Sequence, residues 1–146
     1  MIRAMVRQRV GRVSRVAVLV VAVSTLVVVG MGGSASAQGS VLDGVFTAAQ
    51  ATRGERTFER VCSTCHDIGE FSGGRFRLSW VGQSAGDLFD TMVASMPEDD
   101  PGSLSPDEYV SLVAYLFRLN GYPTGTAPLP ADEMVLQTVQ IEESNK

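Results

Sequence analysis

Both cysteines of this 146-residue chain and its only histidine stand within five residues, in Cys62-Ser63-Thr64-Cys65-His66. Three chemistries use such a cluster. One is a Cys62–Cys65 disulfide that exchanges with other thiols. Such pairs normally sit at a helix N-terminus in a strand–helix–strand unit, where the dipole lowers a thiol pKa. Here the pair follows a helical stretch in a chain with no convincing strand pattern. The second is structural zinc, which wants four ligands, and no further Cys or His exists in the chain. The third is covalent haem. Two thiols separated by two residues can each add to a vinyl group of one porphyrin, and the next residue is then held under the iron. One covalently bound haem c is therefore the expected cofactor, with Cys62 and Cys65 as thioethers and His66 as an axial ligand.

A second axial histidine is impossible, and the only lysine is the last residue, Lys146. Methionine remains, or an open position. Past the first 37 residues the chain offers Met92, Met96 and Met134. Met92 falls on the apolar side of a helical pattern, where methionine is ordinarily core. Met96 precedes Pro97, which biases it to extended geometry in a loop after a helix. Met96 is the expected ligand; Met92, Met134 and a vacant position are the alternatives. A thioether donor favours Fe(II) and places the potential on the high side. Two protein ligands leave no position for a substrate, which points to a single-electron carrier and not an enzyme. The alternative is a ligand-binding haem protein, a gas sensor or peroxidase, in which Met96 is absent from iron or easily displaced. A peroxidase would also want a distal acid–base group.

Three helical segments must position these residues. The first begins at Thr47, which with Gln50 matches the N-cap and N3 of a capping box, with Phe46 set to staple onto Ala51. Ala51, Gly54, Phe58 and Val61 recur on one face of it, and it runs into Cys62. Arg53, Glu55, Arg56, Glu59 and Arg60 lie off that stripe. Gly54 costs about 1 kcal/mol relative to Ala inside a helix, and close approach of another helix is the plausible return. Asp67 to Ser79 reads as Gly-rich and irregular. A second helix is expected from about Ser84 to Ser95, ended by Pro97. The third has Ser105 as N-cap, Pro106 at N1 and Glu108 at N3, with Val110, Val113, Ala114 and Phe117 in a wide apolar stripe. Asn120-Gly121 and Pro123 stop it. The remainder is broken by Pro and Gly and is expected to lie along the surface, with Leu136 and Ile141 as possible anchors. The fold class is all-α.

The N-terminus carries a different message. Met1 to Arg15 has five arginines and no acid. Val16 to Val29 is a run of 14 residues, apolar except for Ser24 and Thr25, and small residues follow up to Ala37. This is the order of a secretory signal, with cleavage expected after Ala37 and a periplasmic or otherwise exported product. The run is short of the roughly 20 residues of a membrane span; a membrane association would follow only if the signal is kept as an anchor. Residues 1–37 are thus assigned to the signal and 38–146 to one domain, its core about 46–123 and its tail 124–146. All 16 acids and seven of the 12 basic residues lie beyond Ala37, so the exported part has a net charge of −9. That surface repels nucleic acid and anionic membranes and suits a basic partner, although the same charge also serves solubility.

The stretches FTAAQATRGERTFERVCSTCH from Phe46, FRLSWVGQSAGDLFDTMVASMP from Phe76 and PGSLSPDEYVSLVAYLFRLNGYPTG from Pro101 resemble class I c-type cytochromes. Within that group they are similar to monohaem domains that accept electrons from quinoprotein (PQQ-dependent) dehydrogenases. The resemblance implies a small cytochrome c-like helical bundle around one haem, with first and last helices crossing closely, Gly54 against the last helix near Tyr115. It matches Cys62, Cys65 and His66 to the haem motif and Met96 to the methionine of the Met-Pro step. It also implies redox protein partners: a quinoprotein dehydrogenase as donor, and an oxidase or another cytochrome as acceptor. Many members have a proline soon after the haem motif whose carbonyl orients the histidine. No proline occurs here between His66 and Met96, so another carbonyl, with Gly73-Gly74-Arg75 as candidates, would have to accept the ring proton.

Two further groups of residues belong to the surroundings of the haem. Arg75, Arg77 and Trp80 are candidate partners of the propionates, the alternative being exposed arginines and a core tryptophan. Glu98-Asp99-Asp100 could form an acidic rim that steers a basic partner, or simply a solvated loop.

Overall fold

The computed structural model describes residues 39–144. The expected signal, residues 1–37, lies outside the described residues. Five α-helices follow one another: α1 (Ala48–Thr57), α2 (Gly73–Trp80), α3 (Ala85–Ser95), α4 (Pro106–Leu119) and α5 (Glu133–Thr138). A two-residue parallel pair, β1 (Gly39–Ser40) with β2 (Val139–Gln140), ties the start of the described chain to its end.

The helix starts are set by local polar chemistry. Thr47 Oγ1 accepts the N–H of Gln50 at 3.1 Å. The Gln50 side chain does not return to Thr47; it is buried and makes two bonds to Leu129, donating to its carbonyl at 2.8 Å and accepting its N–H at 2.9 Å. The Thr47 side chain starts α1, and the Gln50 side chain, freed from capping, anchors the tail. Ser84 with Asp87, and Ser105 with Glu108, form complete capping boxes at α3 and α4. These carboxylates sit below their ordinary pKa, chiefly because each accepts a backbone N–H from its N-cap serine.

α1 and α4 cross at Gly54. A Cβ there would fall on the carbonyl group of Ser111 and close to the amide of Leu112. The crossing is thus one turn earlier along α4 than Tyr115, the position implied by the resemblance. Tyr115 instead packs its ring on Phe58, centroids 5.9 Å apart, with the Arg118 guanidinium 5.4 Å from its own ring centre. Arg118 reaches back to α1, bonding Thr52 Oγ1 at 2.9 Å and Glu55 at 2.7 Å. Arg60 meets Glu108 at 2.6 Å at the other end of the same pair.

Two segments differ from the expectation. Within the stretch expected to be irregular, Gly73–Trp80 is α2, stopped by Val81 in extended geometry. Only Phe76 of that helix is buried, so its pattern carries little helical periodicity. In the tail the expected anchors Leu136 and Ile141 are buried, and Leu129 and Val139 are buried as well, so the tail contributes core beyond those two residues. Ile141 exchanges backbone bonds with Gly82 and Gln83, both at 2.8 Å, which pins the tail beside the start of α3.

Candidate functional site

α1 does not end cleanly. Phe58–Cys62 winds as a wider π-helical turn, in which the N–H of Ser63 reaches the carbonyl of Phe58 at 2.9 Å. Such turns add a residue per turn and are frequent where function redirects side chains. The Cys62 carbonyl then accepts the N–H groups of Cys65 at 3.1 Å and His66 at 3.0 Å. This tight knot closes the motif on itself and brings both thiols and the imidazole to one wall of a cavity.

The cavity holds about 580 Å³. Cys62, Cys65 and His66 line it, as do Met92 from α3, Met96 and Pro97. α4 supplies Tyr109, Leu112 and Leu116, and Phe58, Phe71 and Leu104 complete the apolar walls. Glu98 and Asp99 of the acidic run are also lining residues. Asp100 is exposed and is not among them.

The remaining residues singled out in the sequence lie elsewhere. Arg75, Arg77 and Trp80 are on α2 and do not line the cavity. Arg77 faces Glu143 of the tail at 3.8 Å, and Trp80 packs half-buried on the core. Met134 is 79% exposed on α5.

Met96 is the C-cap of α3, in extended geometry with φ −130° and ψ 146°. Its N–H closes the helix on the Met92 carbonyl at 2.8 Å, and its own carbonyl accepts the Tyr109 hydroxyl at 2.6 Å and the Gly102 N–H at 3.4 Å. Tyr109 was not singled out in the sequence; its polar role depends on a loop that returns beside Met96.

The His66 ring makes its recorded polar contact through Nδ1, 3.3 Å from Glu70 Oε2. Phe71 presents itself edge-on to the same ring, centroids 5.2 Å apart. The partner of the imidazole is thus a carboxylate and not a carbonyl of Gly73-Gly74-Arg75. Those three residues open α2, where their carbonyls face the helix's own N–H groups. The spacing of four between His66 and Glu70 was the available signal. Glu70 is held below the ordinary carboxylate pKa, first by the Asp67 backbone N–H and next by His66.

The two thiols are free, Cys62 half-buried and Cys65 exposed. Burial pushes the Cys62 thiol pKa up, against a smaller opposing pull from Arg60. A thiol-exchange centre needs the opposite shift. Two free thiols, one imidazole and two thioethers around an apolar cavity fit a covalently attached haem with room for a second axial donor.

Residues 49–116 match the protein family described as "Cytochrome C oxidase, cbb3-type, subunit III". The matched stretch runs from the first turn of α1 into the last turn of α4 and contains Cys62, Cys65, His66 and Met96. No curated protein and no solved structure matches the chain. The helical architecture is that of a small cytochrome fold, and a cytochrome c domain implies covalently bound haem c, a role in electron transfer and redox proteins as partners. Among the described residues, no helix is long and apolar enough to cross a membrane.

Proposed function

We propose that this cytochrome c domain is a monohaem, single-electron carrier in which His66 and Met96 both ligate the iron. The observation that carries the reading is the shared cavity, lined by the CSTCH knot and by the Met96–Pro97 step. Haem supplies a one-electron Fe(III)/Fe(II) couple. The chain's own groups do the rest. Cys62 and Cys65 would hold the ring by two thioethers, which would keep the cofactor from dissociating. Apolar side chains from α4 would cover part of it, and a site partly shielded from water raises the weight of nearby charges.

Met96 is favoured over Met92 by its backbone. Three hydrogen bonds fix the main chain of Met96 at the end of α3, where no further helical turn holds it, whereas Met92, inside α3, has its side chain packed on the core. A clamped backbone presents a thioether in one place, as a stable axial ligand requires.

The carrier is exported, after removal of residues 1–37, and exchanges electrons with other redox proteins outside the cytoplasm. The resemblance to domains serving quinoprotein dehydrogenases supports such an enzyme as donor. The family match, to a subunit of a terminal oxidase, supports an oxidase as acceptor.

The test is made on holoprotein produced with haem-maturation machinery. Its absorbance is recorded oxidised, reduced, and reduced under carbon monoxide. A low-spin spectrum that carbon monoxide leaves unchanged is expected of a closed site. Prompt carbon monoxide binding would mean an open or labile position and would sink the carrier reading in favour of a ligand-binding haem protein.

A further inference from the structure

A single carboxylate holds both the turn after the haem motif and the imidazole of that motif. Asp67, with φ −85° and ψ 133°, caps the short turn Ile68–Phe71, its Oδ1 accepting the Gly69 N–H at 2.8 Å. Glu70 is the N3 residue of that turn. Its Oε1 accepts the Asp67 N–H at 3.3 Å, while its Oε2 lies 3.3 Å from His66 Nδ1. Each oxygen therefore has its own partner. The reciprocal capping box selects the Glu70 rotamer, and the rotamer delivers Oε2 to the ring.

The ring is held on a second side. The Phe71 ring meets it in a T-shaped contact, centroids 5.2 Å apart, and Phe71 is itself packed edge-on against the buried Phe58, centroids 6.0 Å apart. A neutral imidazole has one N–H and one lone pair. With Nδ1 donating to the carboxylate, the lone pair is on Nε2. The contact thus selects the tautomer that a ligating histidine needs and fixes the plane in which it is offered.

We infer that Glu70 is the positioning residue of the axial histidine and that its carboxylate, by accepting the His66 Nδ1–H, lowers the midpoint potential of the haem. The inference rests on His66 being an iron ligand. A carboxylate acceptor makes the imidazole a stronger donor than a neutral carbonyl does, and stronger donation stabilises Fe(III) over Fe(II). The sequence favours a high potential through Met96; Glu70 acts in the opposite direction, so the two residues set the potential between them.

The test compares midpoint potentials of parent, Glu70→Gln and Glu98→Gln holoproteins at one pH and ionic strength. Glu98 lines the same cavity but has no recorded contact with His66, so it reports the effect of removing a nearby charge alone. Glu70→Gln is expected to shift the redox equilibrium toward the reduced form by up to about tenfold, ~59 mV for one electron. Glu98→Gln is expected to shift it less. An unchanged midpoint in a low-spin Glu70→Gln protein overturns the inference, and so do equal shifts in both variants. A high-spin parent spectrum overturns Met96 as the second ligand and leaves the inference, which needs His66 alone, to be decided by the two midpoints. A second readout needs no substitution. In ferrous protein carrying ¹⁵N-histidine, a hydrogen-bonded Nδ1–H gives a resolved, slowly exchanging resonance. A resonance lost to exchange with water would overturn the contact directly.

Discussion

Tyr109 donates its hydroxyl hydrogen to the carbonyl of Met96 at 2.6 Å. The two residues stand 13 positions apart and on opposite sides of a loop, and the bond joins α4 to the residue proposed as the second axial ligand. Tyr109 is 2% exposed and packs its ring edge-on against Phe89 of α3, centroids 6.1 Å apart. The hydroxyl is thus aimed by packing, and the Met96 backbone is held by α4.

Tyr109→Phe is expected to lose this bond while keeping the ring. The cost in stability should be about 1 kcal/mol, the usual size for one buried hydrogen bond. The more informative effect is on the ligand. With its carbonyl held only by Gly102, Met96 should be displaced more readily, so the reduced variant should bind carbon monoxide faster than the parent. Equal rates would mean that the Tyr109 bond does not restrain Met96.

At Gly54 two effects of opposite sign compete. Alanine in a helix interior ordinarily gains about 1 kcal/mol over glycine. Here its Cβ would meet the backbone of Ser111, which cannot swing aside as a flexible side chain could. Overpacking of that kind costs about 1–3 kcal/mol, so Gly54→Ala should destabilise and Gly54→Val should do so further. Denaturant midpoints of the holoproteins decide it; a more stable Gly54→Ala would mean that the helices do not approach so closely.

The helix starts and the haem motif were legible in the sequence because both are local. Ser105 with Glu108, and CSTCH, each lie within five residues. The unread parts depend on distant partners. α2 opens on Gly73-Gly74 and buries only Phe76, so no stripe marks it. α5 is six residues long in a stretch dense with Pro and Gly, and its burial comes from contact with α3. At the site, Glu70 and Tyr109 were missed for related reasons: a charge after the motif looks like a solvated loop, and a tyrosine next to an apolar stripe looks like core.

Gln50 gives a test of the tail. Its side chain satisfies both backbone groups of Leu129, and it is buried. Gln50→Leu keeps the volume and leaves the Leu129 N–H and carbonyl without that partner. A loss of about 1–3 kcal/mol is expected, with faster proteolysis of the tail. Unchanged stability and proteolysis would show that the tail is held without this anchor.

The capping carboxylates set an acid limit. Asp87 and Glu108 have folded pKa values below their ordinary 3.8 and 4.5. A depressed folded value means that the unfolded chain takes up these protons first as pH falls. Their stabilisation is therefore full above pH 4.5 and is lost as pH drops through the folded values. Both groups are near the surface, so no more than about 1 kcal/mol each is expected after solvent screening. Urea midpoints should be level in this respect from pH 7 to 5 and fall below that, and Asp87→Asn with Glu108→Gln should flatten the fall. A parallel curve in the double variant would contradict it.

The ligand set itself is tested most directly by the ferric spectrum of three holoproteins: parent, Met92→Leu and Met96→Leu. A thioether on low-spin ferric iron gives a weak band at the red end of the visible range. Ligation by Met96 predicts that band in the parent and in Met92→Leu, and its loss, with prompt carbon monoxide binding after reduction, in Met96→Leu. A band that survives in Met96→Leu, or that disappears in Met92→Leu instead, would contradict the assignment of Met96 opposite His66.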